Sequence, residues 1–260
     1  PSTIRGYESM KNAIVTNYPD FCKMTTDSLT QSKFQTFINQ LILDGRSTKT
    51  VYNYHGFMSA SFKFAGEPLP HVSLPQKEKP DLQIPEVRTV KEILKKAKGT
   101  RLEIPLELAI MGLRRSEICG LTMDDLDGDV LHIHKAAVYN ADGDLITKTT
   151  KTYSSDRYIR IPAVLADRIR ELGSICTYTP ATLSTTFFKF IRKHGFPEIR
   201  LHDLRHFFVS YCHNILHLSD AQIQAITGHK TSAVMRSNYL HPMDVQKSNK
   251  LVSKKIGDLI

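Results

Sequence analysis

Two arginines, a lysine, two histidines and a tyrosine, in the order Arg114, Lys151, His202, Arg205, His229 and Tyr239, could together act on a phosphodiester. They fall in four short islands: Gly112-Leu113-Arg114-Arg115-Ser116-Glu117, Lys151-Thr152-Tyr153-Ser154-Ser155-Asp156-Arg157, His202-Asp203-Leu204-Arg205-His206, and Gly228-His229 with Tyr239 ten residues on. Each island alone has an ordinary reading: a surface arginine, a solvent-facing lysine, a capping His and Arg pair, or one packed tyrosine among 10. As a set they supply every role that phosphoryl transfer needs. Arginine presents a planar fork that pairs with two phosphate oxygens, and two forks neutralise the charge that builds there. A tyrosine hydroxyl, with a pKa near ~10, attacks only when positioned and relieved of its proton. Neutral histidine shares that proton near neutral pH, and a lysine protonates a departing oxygen. Cationic side chains doing this work need no metal and no cofactor.

Two ambiguities stay open at this level. Arg114 and Arg115 compete for one role, because helical neighbours point about 100° apart and only one can face the phosphate. Lys148 is also in reach of the turn that holds Lys151. A rival chemistry is zinc: His202 and His206 are spaced four apart, as are His213 and His217, which puts two imidazoles on one helix face. Position 203 is Asp where the zinc-protease pattern has Glu, and no third ligand is evident.

Around the islands the chain reads as mainly α with a small antiparallel β-sheet (α+β). Tyr7, Met10, Ile14 and Val15, then Phe34, Phe37, Ile38 and Leu41, recur at helical spacing. Thr30-Gln31 starts the second helix and Asp44-Gly45 ends it. Ser47 or Thr48 caps a third, which runs through Phe57 and Phe64 to a stop at Gly66 and Pro68. Pro68, Pro70, Pro75, Pro80 and Pro85 then forbid a regular helix, and the segment reads as an extended linker. Domain boundaries follow: a helical domain over 1–67, a linker over 68–86, and a larger domain over 87–260. The larger domain opens with helices at Val90–Lys98 and Leu102–Met111. Strands follow at Val130–His134, Leu145–Thr147 and Arg157–Ile161, with a turn at Asp142-Gly143, and the chain is helical again from Val164.

The net charge is +9, most of it in the larger domain, and a basic surface attracts polyanions. No stretch approaches the ~20 apolar residues of a membrane span, and no secretory signal is present. Cys22, Cys119, Cys176 and Cys212 are scattered without a CxxC pair, which reads as four reduced, mostly buried thiols rather than a disulfide framework. The chain starts at Pro1 without a Met, so a preceding N-terminal piece is expected.

The ordered islands resemble the tyrosine recombinases, also called phage integrases, in a style closest to integrases of conjugative transposons and phages of Gram-positive bacteria. Gly112 to Ile118 with Leu121 and Asp125 is similar to the family's first-arginine motif, His202 to His206 to its HxLRH motif, and Gly228-His229 with Tyr239-Leu240-His241 to the end of its active site. Thr3 to Tyr7 and Thr50 to Tyr54 resemble its helical core-binding (SAM-like) domain, so the likeness covers nearly the whole chain. The resemblance implies two domains closing on duplex DNA. It makes Tyr239 the nucleophile of a 3′-phosphotyrosyl link, with Arg114 and Arg205 on the non-bridging oxygens. Lys151 becomes the acid at the 5′-oxygen, preferred over Lys148 because KTxxS followed by Arg157 matches better. His202 assists proton transfer at the tyrosine, His229 bonds the phosphate, and Glu117 supports the site. Partners implied are double-stranded DNA at element ends and target, a homo-tetramer on DNA and an accessory excision factor. The setting implied is the bacterial cytoplasm at the nucleoid, with no membrane, and an arm-binding domain before Pro1. The tail from Asp244 to Ile260, with Leu251, Val252, Ile256, Leu259 and Ile260, suits a helix docking on a neighbouring protomer or on its own domain. Met111, Thr227 and Phe207-Phe208 depart from the family pattern, the last in packing rather than chemistry. The rival functions are a type IB topoisomerase, which shares the chemistry, and a non-catalytic DNA-binding protein.

Overall fold

The structure, a computed structural model, describes residues 2–77, 83–140, 142–149 and 156–229. Chain contacts divide it into two units, residues 1–81 with 139–144, and residues 82–138 with 145–260.

The first unit is helical: α1 (Ser2–Asn17), α2 (Pro19–Cys22), a 3-10 turn (Thr26–Ser28), α3 (Gln31–Leu43) and α4 (Thr48–Ala65). The caps are those that the residue types dictate. Thr30 Oγ1 accepts the Lys33 N–H and Ser47 Oγ accepts the Thr50 N–H, each satisfying one of the donors a helix start leaves orphaned. Gly66, at φ 77°, closes α4 in the left-handed conformation that glycine adopts without a Cβ penalty. Phe34, Phe37, Ile38 and Leu41 of α3 are buried against Ile14, Val51, Tyr54 and Phe62, and Phe21 stacks on Phe37 at 3.9 Å. Two expectations fail. Val15 is exposed, because it lies about 100° round the helix from buried Ile14, and Phe64 points to solvent from the last turn of α4. Nor is the proline-rich segment a free spacer in its first half. Val72 is buried in the first unit's core, and the Gln35 amide brackets Ser73 by donating to its carbonyl at 3.1 Å and accepting its N–H at 2.8 Å.

The second unit holds α5 (Val87–Ala97), α6 (Glu103–Ala109), α7 (Arg115–Gly120), a 3-10 turn (Met123–Asp125), β1 (Leu126–Asp127), β2 (Val130–Ile133), β3 (Lys135–Tyr139), β4 (Leu145–Thr149) and β5 (Arg157–Arg160). It continues with α8 (Ala163–Leu172), α9 (Pro180–Lys193), α10 (Leu201–Asn214) and α11 (Asp220–Thr227). β1, β2 and β5 form an antiparallel sheet with Leu131 opposite Ile159 and Ile133 opposite Arg157, while β3 and β4 pair separately. β2, β4 and β5 stand where alternation places them, while β1 and β3 lack a local pattern: β1 has only two residues, and β3 follows β2 after a single residue. α5 begins three residues before the expected Val90, at Val87 behind Pro85-Glu86. The core joins Ile93, Leu106 and Leu108 of α5 and α6 to Ile118, the sheet residues Leu131 and Ile133, and Phe187 of α9. Among the described residues no helix is long and apolar enough to cross a membrane.

Candidate active site

Four of the six expected residues, Arg114, His202, Arg205 and His229, lie in the described residues, and the fold brings them into one cluster. Lys151 and Tyr239 lie outside the described residues, as does the tail from Asp244.

Arg114 is the residue from which α7 starts. It has extended backbone, so Glu117, at the third helical position, reaches back and accepts the Arg114 N–H at 2.8 Å. The guanidinium of Arg114 donates to Glu117 Oε1 at 2.7 Å and to the Gly228 carbonyl at 2.7 Å, and 33% of the side chain stays exposed. Gly228 ends α11 at φ 68°, and that left-handed turn leaves its carbonyl for Arg114. Arg115 instead donates to Ser184 Oγ of α9 at 2.7 Å, so it is Arg114 that bonds within the cluster.

Arg205, on α10, is 1% exposed. Its guanidinium donates to the carbonyls of Gly112 and, at 2.8 Å, Thr227, and Nη2 lies 3.0 Å from His229 Nε2. Gly112 is required here on two counts. It sits at φ 86°, and a Cβ would come within 2.6 Å of the Phe208 ring. Phe208 therefore packs directly over the turn whose carbonyl holds Arg205. The Thr227 hydroxyl donates to the Ile223 carbonyl at 2.6 Å, so it accepts at 2.6 Å from His229 Nδ1. That network assigns the proton of neutral His229 to Nδ1 and leaves Nε2 as the acceptor facing Arg205.

Behind Arg114 lies a second guanidinium, which the sequence reading used only to mark a motif. Arg157 is buried and grips Glu117 at 3.0 and 3.2 Å, while its Nε donates to the Ile226 carbonyl at 2.6 Å. A signal for it exists: in β5 positions 157 and 159 face inward and 158 and 160 outward, and an arginine at an inward strand position needs a carboxylate. Burial pulls the Glu117 carboxyl upward, but Arg157 and then Arg114 overcome it and hold it below the usual carboxylate range. Asp203 accepts the Arg200 N–H at 2.7 Å and caps α10, and its charge partly opposes the downward shift of His202 and His206.

Arg114 and Arg157 around the Glu117 carboxylate, with Arg205 close by, carry more charge than the carboxylates offset, and the histidines respond. Burial first, then the charges of Arg205 and Arg114, pushes His229 down to about 3. His202 is pushed down to about 4 by the surrounding protein and by Arg205, although its ring is open to solvent on one side. Burial and the neighbouring His202 ring, 4.8 Å away edge to face, take His206 to about 4. All three are neutral at pH 7, ready to accept or share a proton. The stability consequence has a definite sign. Below about 6.5 the unfolded chain takes up protons that the folded site refuses until about pH 4, or 3 at His229. The unfolded state binds more protons in that window, so stability is lost as pH falls through it. His206→Asn is expected to flatten this loss, read as urea midpoints between pH 7 and 4.5; equal slopes in both proteins would clear His206 of the effect.

Beside Arg114 and His202 opens a cavity of about 690 Å³, walled by Arg115, Arg200, Ser184 and Phe188. Arg114, Arg115 and Arg200 all line it, and guanidiniums of this kind pair with phosphate oxygens.

No family model matches the chain. A protein of Caldanaerobacter subterraneus subsp. tengcongensis, described as tyrosine recombinase XerC-like, is 23% identical over 96% of this chain and 76% of its own length. The integrase of transposon Tn1549, solved with transposon right end DNA, superposes with a TM-score of 0.76 at 18% identity, covering 98% of this chain and 94% of that one. Lambda integrase, solved as a tetramer bound to a Holliday junction, gives 0.65 at 20% identity over 86% of this chain and 68% of that one.

Proposed function

We propose that this chain, a tyrosine recombinase/integrase by its fold and its XerC-like relative, is a site-specific DNA recombinase that works through a phosphotyrosine link. The observation that carries the reading is the convergence of Arg114, Arg205, His202 and His229 in one cluster, from segments far apart in the chain, with Arg114 and His202 on the wall of one cavity.

The chemistry follows from those groups. Arg114, held from behind by Glu117 and half open in front, binds a non-bridging oxygen of the scissile phosphate. Arg205 arrives with His229 as a unit, since carbonyls fix the one and the Thr227 hydroxyl fixes the other. Tyr239 Oη attacks phosphorus as the bond to the 5′-oxygen breaks, with His202 taking up the phenolic proton and Lys151 supplying one to the departing oxygen. A 5′-hydroxyl from a second strand reverses the step, so the bond energy is conserved in the link and no energy cofactor is consumed.

Double-stranded DNA is the partner, and integration and excision of a mobile element the biological role, by analogy with the Tn1549 integrase. Exchange between two duplexes takes four cuts and hence four protomers. The tetrameric lambda integrase supports that number, and the tail beyond Asp244 is the segment that would join them.

The test is covalent trapping. Nicked duplexes from the ends of the parent element, or a pooled library, are incubated with the protein in the presence of a metal chelator, then resolved on denaturing gels and mapped by peptide mass spectrometry. A DNA adduct on Tyr239 with a free 5′-hydroxyl on the released strand is expected. Salt-sensitive binding without any adduct would sink the reading in favour of a non-catalytic DNA-binding protein.

A further inference from the structure

The four cysteines are far apart in sequence, and they are not mostly buried: only Cys212 is, while Cys22 is exposed and Cys119 and Cys176 are half-buried. The fold brings those last two together. Cys119 of α7 and Cys176, in the loop between α8 and α9, have their Sγ atoms 3.9 Å apart although 57 positions separate them. A disulfide needs sulfurs about 2 Å apart on Cβ atoms ~3.5–4.5 Å apart, so two sulfurs already touching need only a small approach. We propose that Cys119 and Cys176 form a reversible disulfide, closed by a hydroperoxide and reopened by a dithiol.

The two thiols are unequal partners. Arg101 is fixed beside Cys176 by donating to Thr177 Oγ1 at 2.7 Å and by lying 4.8 Å from the centre of the Tyr178 ring. The contact with Cys119 lowers the Cys176 thiol, against the effect of burial, and Arg101 lowers it further; the same contact and burial raise Cys119. With Arg101 beside it, Cys176 is the sulfur that attacks and Cys119 the one that resolves. The Cys176 sulfur attacks one peroxide oxygen, forming an S–O bond as the O–O bond breaks, and the departing hydroxide takes a proton to become water. The Cys119 sulfur then attacks the Cys176 sulfur, forming the S–S bond as the S–O bond breaks. The second hydroxide takes the Cys119 proton and leaves as water. The peroxide gains the two electrons that the sulfurs lose.

The place of the bridge gives it a consequence. α7 begins at Arg114, and α9 carries Ser184 and Phe188 on the cavity wall, so the bridge ties the last turn of one wall to the segment leading into the other.

The experiment uses the full chain carrying Cys22→Ser, which removes the exposed thiol and its cross-links between molecules. It is treated with hydrogen peroxide, quenched, alkylated and digested without reduction. A peptide joining Cys119 to Cys176, two hydrogens lighter than its parts and lost on adding dithiothreitol, is expected. The oxidised chain should melt several degrees above the reduced one, because the bridge closes a loop of 57 positions in the unfolded state. With Cys119→Ser, Cys176 should be trapped as a sulfenic acid by dimedone. Both cysteines remaining open to alkylation after peroxide, or Cys176 ending as a sulfinic acid with Cys119 still free, would overturn the proposal. Should the serine variant fail to fold, the cross-link in the parent chain decides alone.

Discussion

Tyr239→Phe is expected to abolish strand cleavage while leaving DNA binding unchanged. The substitution removes one oxygen, the proposed nucleophile, so the covalent adduct should fall on the order of 10⁴-fold or more, as when a nucleophile is deleted from an enzyme whose binding groups remain. Binding is set by other groups. A phenol with a pKa near ~10 carries no charge at pH 7, so its loss releases no counterion and the dependence of affinity on salt should keep its slope. Adduct yield on nicked duplex and Kd at two salt concentrations read both halves. An adduct that persists would hand the nucleophile's role to another of the 10 tyrosines. A parallel loss of binding would mean that Tyr239 is a packing residue.

Arg205→Ala is expected to lose both chemistry and stability. Removing a preorganised cation from the charge that builds on the phosphate should lower single-turnover cleavage on the order of 10³-fold. The same side chain holds the Gly112 and Thr227 carbonyls and lies against His229 in a buried setting, so its removal strands two acceptors. At about 1–3 kcal/mol for each buried group left unsatisfied, a loss of several kcal/mol in urea denaturation follows. Arg205→Lys separates the effects: it keeps the charge but not the planar fork that spans two carbonyls, and should remain about 10²-fold down. Cleavage by Arg205→Ala within about 10-fold of the parent would remove Arg205 from the chemistry.

The residues that carry these predictions were legible in the sequence as types and order, and their arrangement was not. The helices α1, α3 and α4 announced themselves through caps and apolar spacing, because Thr30, Ser47 and Gly66 act on their own neighbours. β3 left no such mark; its pairing with β4 is set by another strand and not by local pattern. In the cluster, Arg114 and Arg115 could not be told apart by type, and what separates them is the Gly228 carbonyl on one side and Ser184 on the other. Arg157 was visible as a motif letter, yet its pairing with Glu117 depends on β5 running beside α7. The Cys119 and Cys176 contact was likewise hidden, since spacing reports nothing about residues that only a finished fold makes neighbours.

The hydrogen bond from Arg114 to Gly228 spans 114 positions, and Arg205 depends in turn on Thr227. A chain still being synthesised holds Arg114 long before residue 228 leaves the ribosome. Until then the guanidinium lacks its carbonyl, and His229 and the nucleophile are missing. Each nascent chain therefore passes through translation with the cluster incomplete, and a product truncated before α11 is expected to lack strand cleavage. Under the proposed function, a site that closes last would confine strand cutting to molecules whose α11 is already made.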